Sequence, residues 1–310
     1  MILCVNLNAA IDKTVVVPGF RLGAIHRPTQ VIAAPGGKGV NVARALRTLG
    51  ETPTVTGWTG GFAGQFIADG LRREGIATAF VTVEAESRTC LSILDPDSGA
   101  LTEVYERGEP LPPAQVAEFR TLFQAIVGRY AAVTLSGSLP PGVPIDFYGD
   151  LLRLADAAGV PAALDTSGDA LVHALAAGRP WFIKPNRAEF EALVGQPLAS
   201  LADLARAARA ASHQYGTTVV LSLGAVGALA ARGDETVHVR PPALPIQSAV
   251  GSGDALVAGM VVGLRRGGSL ADALAWGVAA GTANALTLGA GQLTREDFER
   301  VYRAVRCSVL

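Results

Sequence analysis

Between residues 131 and 223 short apolar runs alternate with longer stretches of helical periodicity, and no other feature of the chain restricts its fold as much. The runs are Ala131 to Leu135, Val160 to Asp165, Trp181 to Lys184 and Val219 to Leu223. Around them, Asp146 to Ala158, Asp169 to Ala177, Arg187 to Val194 and Leu201 to Tyr215 carry apolar residues at the three- and four-residue spacing of a helix face. A strand apolar at successive positions has no side to turn to water and must be covered on both faces. That is the condition of a parallel sheet flanked by helices, an α/β architecture. Met1 to Asn8 reads as a buried first strand, and beyond Asp254 the chain reads as helical almost to its end.

The first third follows another pattern. Arg88 to Leu94 and Leu101 to Glu106 flank Asp95-Pro96-Asp97-Ser98-Gly99, with Pro and Gly where a β-turn accepts them, so a hairpin is expected. Together with Thr14 to Val17 and Arg27 to Ala33 it makes a small antiparallel β sheet drawn from about residues 13–34 and 87–107. Such a projection serves as a lid, as a dimerisation edge, or as both. Arg107 to Pro113 leads back to the body, and no repeat or linker sets off another unit, so all 310 residues are expected to form one domain with that lid.

Lys and Arg number 26 against 27 Asp and Glu, with no block of like charge, which leaves no electrostatic footprint for nucleic acid or an anionic membrane. Cys4, Cys90 and Cys307 are odd in number, far apart and without a CxxC pair; they fit neither a disulfide framework nor a zinc site, and point to a reduced, cytoplasmic compartment. The N-terminus lacks a basic region with a cleavage site, and apolar stretches are interrupted well before the ~20 residues of a membrane span.

Two glycine-rich turns lead into helices. Val250-Gly251-Ser252-Gly253-Asp254 precedes a long apolar helix, whose free amides and dipole can hold an anion and stabilise charge on a transferring phosphoryl group. Asp254, read as sitting at the cap of that helix, ionised and aimed outward, could take the proton of an attacking hydroxyl; it could equally be only a cap. Pro35-Gly36-Gly37-Lys38-Gly39-Val40-Asn41 is the second, a close-approach turn that lacks the Walker spacing. Lys184 to Glu189 and Ser222 to Gly227 each follow a strand, and with Asp12 they would face one crevice at the strands' C-terminal ends. Plainer roles exist for these too: a hairpin turn for Ser222 to Gly227, a capping box for Asn186 and Glu189.

The whole set, in order, is Asn8 to Asp12, Gly36 to Asn41, Ser136-Gly137-Ser138-Leu139-Pro140, Asp165, Lys184 to Glu189, Ser222 to Gly227 and Gly251 to Asp254. It resembles the PfkB family of carbohydrate kinases, of ribokinase-like fold, and within it the phosphoketose branch. The resemblance implies ATP-dependent phosphorylation of a phosphorylated ketohexose, with Mg²⁺. It implies Asp254 as catalytic base and the amides of Gly251, Ser252, Gly253 and Asp254 as an anion hole. Asp12, Gly37, Gly39 and Asn41 would hold sugar hydroxyls, and Arg27, Lys38, Arg88 and Ser138 the substrate's phosphate. Lys184, Asn186, Ser222, Gly224 and Gly227 would border the nucleotide, with Val278, Thr282 and Asn284 near adenine; Asn186 and Glu189 would organise Mg²⁺ through water. A homodimer through the lid sheet is expected.

The chain departs from the branch at Asn8-Ala9-Ala10, where Asn-Pro-Ala is usual, and at Ala255, where Ser is common. Ser87-Arg88-Thr89-Cys90-Leu91-Ser92 lacks the Asn and Lys of the Thr-Arg-x-Asn-x-Lys that fructose-1-phosphate kinases tend to show. That tilts the expected substrate towards tagatose 6-phosphate or fructose 6-phosphate attacked through its 1-hydroxyl, with fructose 1-phosphate as the alternative.

Overall fold

A computed structural model describes all 310 residues. The strands are β1 (Ile2–Asn6), β2 (Ala10–Val16), β3 (Gln30–Gly36), β4 (Pro53–Gly60), β5 (Ala77–Val83), β6 (Arg88–Leu94), β7 (Leu101–Tyr105), β8 (Ala132–Ser136), β9 (Ala162–Asp165), β10 (Phe182–Ile183), β11 (Thr218–Ser222), β12 (Ala228–Arg232), β13 (Glu235–Arg240) and β14 (Arg306–Val309). The helices are α1 (Lys38–Thr48), α2 (Gly61–Arg73), α3 (Pro113–Ile126), α4 (Phe147–Ala157), α5 (Gly168–Ala177), α6 (Arg187–Val194), α7 (Leu201–Tyr215), α8 (Ser252–Arg265), α9 (Leu270–Ala285) and α10 (Arg295–Tyr302).

A ten-stranded sheet in the order β14-β13-β12-β11-β10-β9-β8-β1-β4-β5 forms the body, parallel from β11 through β5. In β1 the side chains alternate between two cores: Ile2 and Cys4 face one, Leu3 and Val5 the other, all fully buried. Helices α1, α2, α8 and α9 cover the first face and α3, α4, α5 and α7 the second, as strands apolar on both sides require. The expected α/β layering is present. The three antiparallel strands β12, β13 and β14 lie outside that expectation, and β14 ends a region that reads as helical.

The second sheet, β3-β2-β6-β7, stands apart from the first. Its outer pairs are antiparallel, and its central pair β2–β6 runs parallel, Ala10 opposite Arg88 through Val16 opposite Leu94. Both central strands leave the C-terminal edge of the body, after β1 and after β5, so they travel outward side by side. The sheet is longer than expected at its base, and Asp12 consequently lies within β2. No helix is long and apolar enough to cross a membrane.

Candidate active site

Four adjacent strands end in polar residues on the face covered by α1 and α8: Asn6 of β1, Ser136 of β8, Asp165 of β9 and Lys184 just past β10. Val5 pairs with Leu135, Ser136 with Asp165 and Leu164 with Ile183, which sets the four in a row. None is more than 5% exposed. Buried polar groups in that number, at the edge where parallel sheets bind ligands, need partners of their own.

Asp254 closes on this row from α8. It is the third residue of the helix, since Gly251 in the left-handed region (φ 77°) takes the cap, and it is buried, 6% exposed, where the sequence reading had it capping the helix and aimed outward. Its Oδ2 accepts a hydrogen bond from Asn41 Nδ2 at 2.8 Å. Burial, and then the charge of Asp165, push its carboxyl up to about 7 against the opposing pull of Lys38, Asn41 and Lys184. A carboxylate poised there is matched to proton abstraction near neutral pH. Ahead of it, the first backbone bond of the helix turn is made by Ala255 N–H to Gly251 O, so the amides of Gly253 and Asp254 have no helical acceptor. Ser252 N–H is already spent on Ala249 O.

Lys38 and Lys184 flank the base. Their Nζ atoms lie 3.3 and 3.6 Å from the same Asp165 Oδ1; Lys184 is buried and Lys38 is 40% exposed towards the cleft. Burial disfavours the charged form of Lys38, but Asp165, Asp254 and Glu189 outweigh it and raise its pKa. Gly253 passes directly over Lys184, since a Cβ there would come within 3.2 Å of Nζ.

The first glycine turn is shaped by packing. A Cβ on Gly36, Gly37 or Gly39 would fall 2.1 Å from Asp12 Cγ, 2.5 Å from Asn6 Oδ1 or 2.6 Å from Val5 O. Asn6 Oδ1 accepts from Gly39 N–H, and the Gly37 amide donates to Asp12. These fits press the N-terminus of α1 onto β1 and β2, and so bring Asn41 to Asp254. Asn41 is spent on the base and, through Oδ1, on Arg44, which is itself fixed by Glu74 and Pro35 O. Of the four residues expected to hold hydroxyls, Asp12 is the one whose carboxylate stays turned to the cleft; burial raises its pKa, against Arg44, the Gly37 amide and Arg88.

A polar corner forms where the β1–β2 turn, the start of β6 and the segment after β8 meet. Asn8 Nδ2 donates to Ser138 Oγ at 3.1 Å, and Arg88 donates to Glu106 O and Asn8 O. Arg27 is not brought there. It is exposed in the β2–β3 loop, beyond the Val16–Gln30 pair, while Asp12 pairs with Ala34; four residues of strand, roughly 13 Å, separate those rows.

Where the nucleotide is expected, a cavity of about 360 Å³ opens between Asn186, Arg187, Ser200, Leu201, Ser222 and Gly224. Gly224 is open to approach, whereas Gly227 is glycine because a Cβ would meet Val239 O at 2.0 Å. Ser222 to Gly227 is also a hairpin connection, closed by Leu223 N–H to Gly227 O. Three residues are expected near adenine. Val278 is buried in the α8–α9 core, and Asn284, fully buried on the face α9 turns to α8, braces the glycine turn by donating to Val250 O and Ser252 Oγ. Thr282 alone of the three is partly exposed. The apolar surface missed by sequence is Ile246, Val250 and Leu288, exposed beside a loop that Gln247 and Ser248 pin to Ala285 O; their signal, apolar residues in a loop with no periodicity, is weak.

Asn186 and Glu189 form a capping box, each side chain on the other's amide. No three His, Cys, Asp or Glu side chains converge tightly enough to hold a metal alone. A divalent ion would therefore take most of its shell from phosphate oxygens and water, which suits a Mg²⁺ arriving with a nucleotide.

A buried base near neutral, free helix amides and two ammonium groups beside a projecting β sheet define an enzyme built for phosphoryl transfer to a small acceptor. The chain belongs to the pfkB family of carbohydrate kinases, whose model matches residues 2–296. It is 39% identical over 290 residues to a 1-phosphofructokinase of Rhodobacter capsulatus, covering 93% of this chain and 90% of that one. Among solved structures it is similar to phosphofructokinase-2 of Escherichia coli in complex with potassium, at 31% identity and a TM-score of 0.91 over 98% of both chains. A tetrameric inhibited form of that enzyme matches with 31% identity and a TM-score of 0.90, over 98% of both chains.

Proposed function

We propose that this enzyme transfers the γ-phosphoryl group of ATP to the free terminal hydroxyl of a phosphorylated ketohexose, giving the bisphosphate. The observation that carries this reading is the buried Asp254 carboxylate, in the first turn of a helix with free leading amides and between two lysines. Asp254 takes the hydroxyl's proton, and the Gly251 to Asp254 backbone with Lys38 and Lys184 offsets charge on the moving phosphoryl group. Asn186 and the Glu189 oxygen that its capping bond leaves over would hold Mg²⁺ through water, and the ion would supply charge neutralisation to the transferring phosphates. Ser222 and Gly224 border the nucleotide, with Thr282 and the Ile246, Val250 and Leu288 surface beside the base. Asp12 holds a sugar hydroxyl. Arg88 and Ser138 take the substrate's own phosphate, Arg88 exchanging two carbonyls for a dianion. The 310 residues work as one domain whose lid closes over the acceptor, in the cytoplasm, where Cys4, Cys90 and Cys307 stay free.

Each end of the sugar has one observation in its favour. Cys90 and Ser92 stand on the lid face that carries Asp12, where fructose-1-phosphate kinases tend to have Asn and Lys, which favours a 6-phosphate. The likeness to the Rhodobacter enzyme favours fructose 1-phosphate. ADP release with Mg-ATP against tagatose 6-phosphate, fructose 6-phosphate, fructose 1-phosphate and ribose, compared by kcat/KM, decides: a phosphorylated ketohexose should lead, and Arg88→Met should raise its KM about 30-fold. Turnover of ribose alone would remove the phosphate subsite from the reading.

The lid face turned away from Asp12 carries Val31 and Val104 exposed, and the β2–β3 loop adds exposed Leu22 and Ile25, apolar residues of the kind that mark an interface. A homodimer formed lid to lid covers it, and offers Arg27 a route to the acceptor phosphate of the opposite protomer. Light scattering across a concentration series should give a dimer, and Val104→Glu with Val31→Glu a monomer; a wild-type monomer throughout would contradict the assembly.

A further inference from the structure

A buried carboxylate ordinarily satisfies both of its oxygens. Asp165, 2% exposed at the end of β9, does not: Oδ1 faces the ammonium groups of Lys38 and Lys184, while Oδ2 is buried without a partner. The neighbouring Ser136 Oγ, paired with it across β8–β9, is buried without a partner as well. The backbone is firm, since Asp165 O accepts from Gly137 N–H. A charge kept in such surroundings needs a reason, because burying it unpaired is costly.

We infer that Asp165 is a positioning residue, which clamps Lys38 and Lys184 on a single oxygen and thereby sets the charge balance around Asp254. This rests on the kinase reading above. Two ammonium groups so close repel each other, and the exposed Lys38 could escape to solvent; one shared carboxylate holds both. The groups facing Asp254 are Asp165 from β9, Lys184 after β10 and Lys38 and Asn41 from α1, with Glu189 of α6 acting on Lys38. Asp165 favours the protonated base, whereas Lys38, Asn41 and Lys184 favour the ionised one. With the lysines unopposed, Asp254 would titrate lower and be a weaker base, although burial would still hold it above the usual carboxylate range. Asp165 thus gives the site two positive charges for the phosphoryl group without surrendering the basicity of Asp254.

The test is a carboxyl-carbon NMR titration of the whole protein labelled in its aspartates, with the Asp254 resonance assigned by its loss in Asp254→Asn. The wild type should titrate near 7. Asp165→Asn should lower that midpoint by about one pH unit and Lys184→Met should raise it by a similar amount. In steady state Asp165→Asn should also raise the KM of Mg-ATP about tenfold, and Asp165→Glu should keep the midpoint close to the wild type's. A midpoint unmoved in both Asp165→Asn and Lys184→Met overturns the inference; should Asp165→Asn fail to fold, an unmoved Lys184→Met is sufficient to do so. A purely structural Asp165 would lower stability and leave the titration in place. Failure of the wild type to phosphorylate any sugar phosphate overturns the kinase reading instead, and the titration still decides the electrostatics.

Discussion

Asp254→Asn should lower kcat by about 10³-fold and at the same time raise the melting temperature above pH 7. The activity loss follows from removing the carboxylate that Asn41 holds in the first turn of α8; the free amides and lysines remain and should preserve nucleotide binding. The gain in stability follows from the direction of the pKa shift. The folded protein holds the Asp254 proton up to about pH 7, whereas an unfolded aspartate releases it near 3.9. Between those values the folded state binds more protons, so its stability declines as pH rises and the full penalty is present above 7. The gap corresponds to about 4 kcal/mol. Asparagine is never charged and escapes the penalty. Melting followed at pH 5 and pH 8 should therefore show the variant's advantage widening with pH, to about 5 °C or more. An advantage independent of pH would mean that the carboxylate is not strained by burial, and the assignment of its neutral range would fall with it.

The same residue measures what could be read from sequence. That Asp254 begins a helix after a glycine turn was legible, because turn chemistry and helix periodicity are local. That it points inward was not: the cap position depends on which glycine adopts the left-handed conformation, and two candidates, Gly251 and Gly253, stand side by side. The parallel body was legible wherever a strand was apolar on both faces and a periodic helix followed. β12, Ala-Leu-Ala-Ala-Arg, has the composition of a helix and becomes a strand because β11 and β13 pair with it on either side, and β14 is four residues long at an edge. Propensity loses to tertiary pairing in both. Arg27 was placed by family position in one corner with Arg88, but strand register carries it to the far end of the lid. That Asn284 braces the glycine turn is not legible in sequence, since which face α9 presents to α8 is fixed by the close contacts of Gly277 and Gly281 with Leu256 and Ser252. The row Asn6, Ser136, Asp165 and Lys184 is the largest omission as a unit. Its members stand on four strands, and only the register of their pairing makes them neighbours.

Gly251→Ala should lose about 3 kcal/mol in stability and about 10²-fold in kcat. Two effects combine at this position. The backbone sits at φ 77°, where an L side chain is strained, and a Cβ would lie 2.6 Å from Gly291 N and 2.7 Å from Ala290 Cα. Those obstacles are backbone, so relief requires the turn itself to move. Gly291 is in turn pressed against Asn41, where a Cβ would meet its carbonyl oxygen at 2.4 Å, and Asn41 holds Asp254. A shift at 251 therefore reaches the base along two routes, through its own helix and through Asn41. Gly253→Ala is the discriminating comparison. Gly253 has no positive φ, and its added methyl would approach only the Lys184 Nζ, at 3.2 Å, the end of a flexible side chain. It should melt close to the wild type and lose about tenfold in kcat by displacing one ammonium group. Thermal melting and steady-state kinetics on both variants separate a turn that must keep its backbone conformation from one that only needs room. Equal stability losses at 251 and 253 would mean that the left-handed cap contributes nothing to placing Asp254.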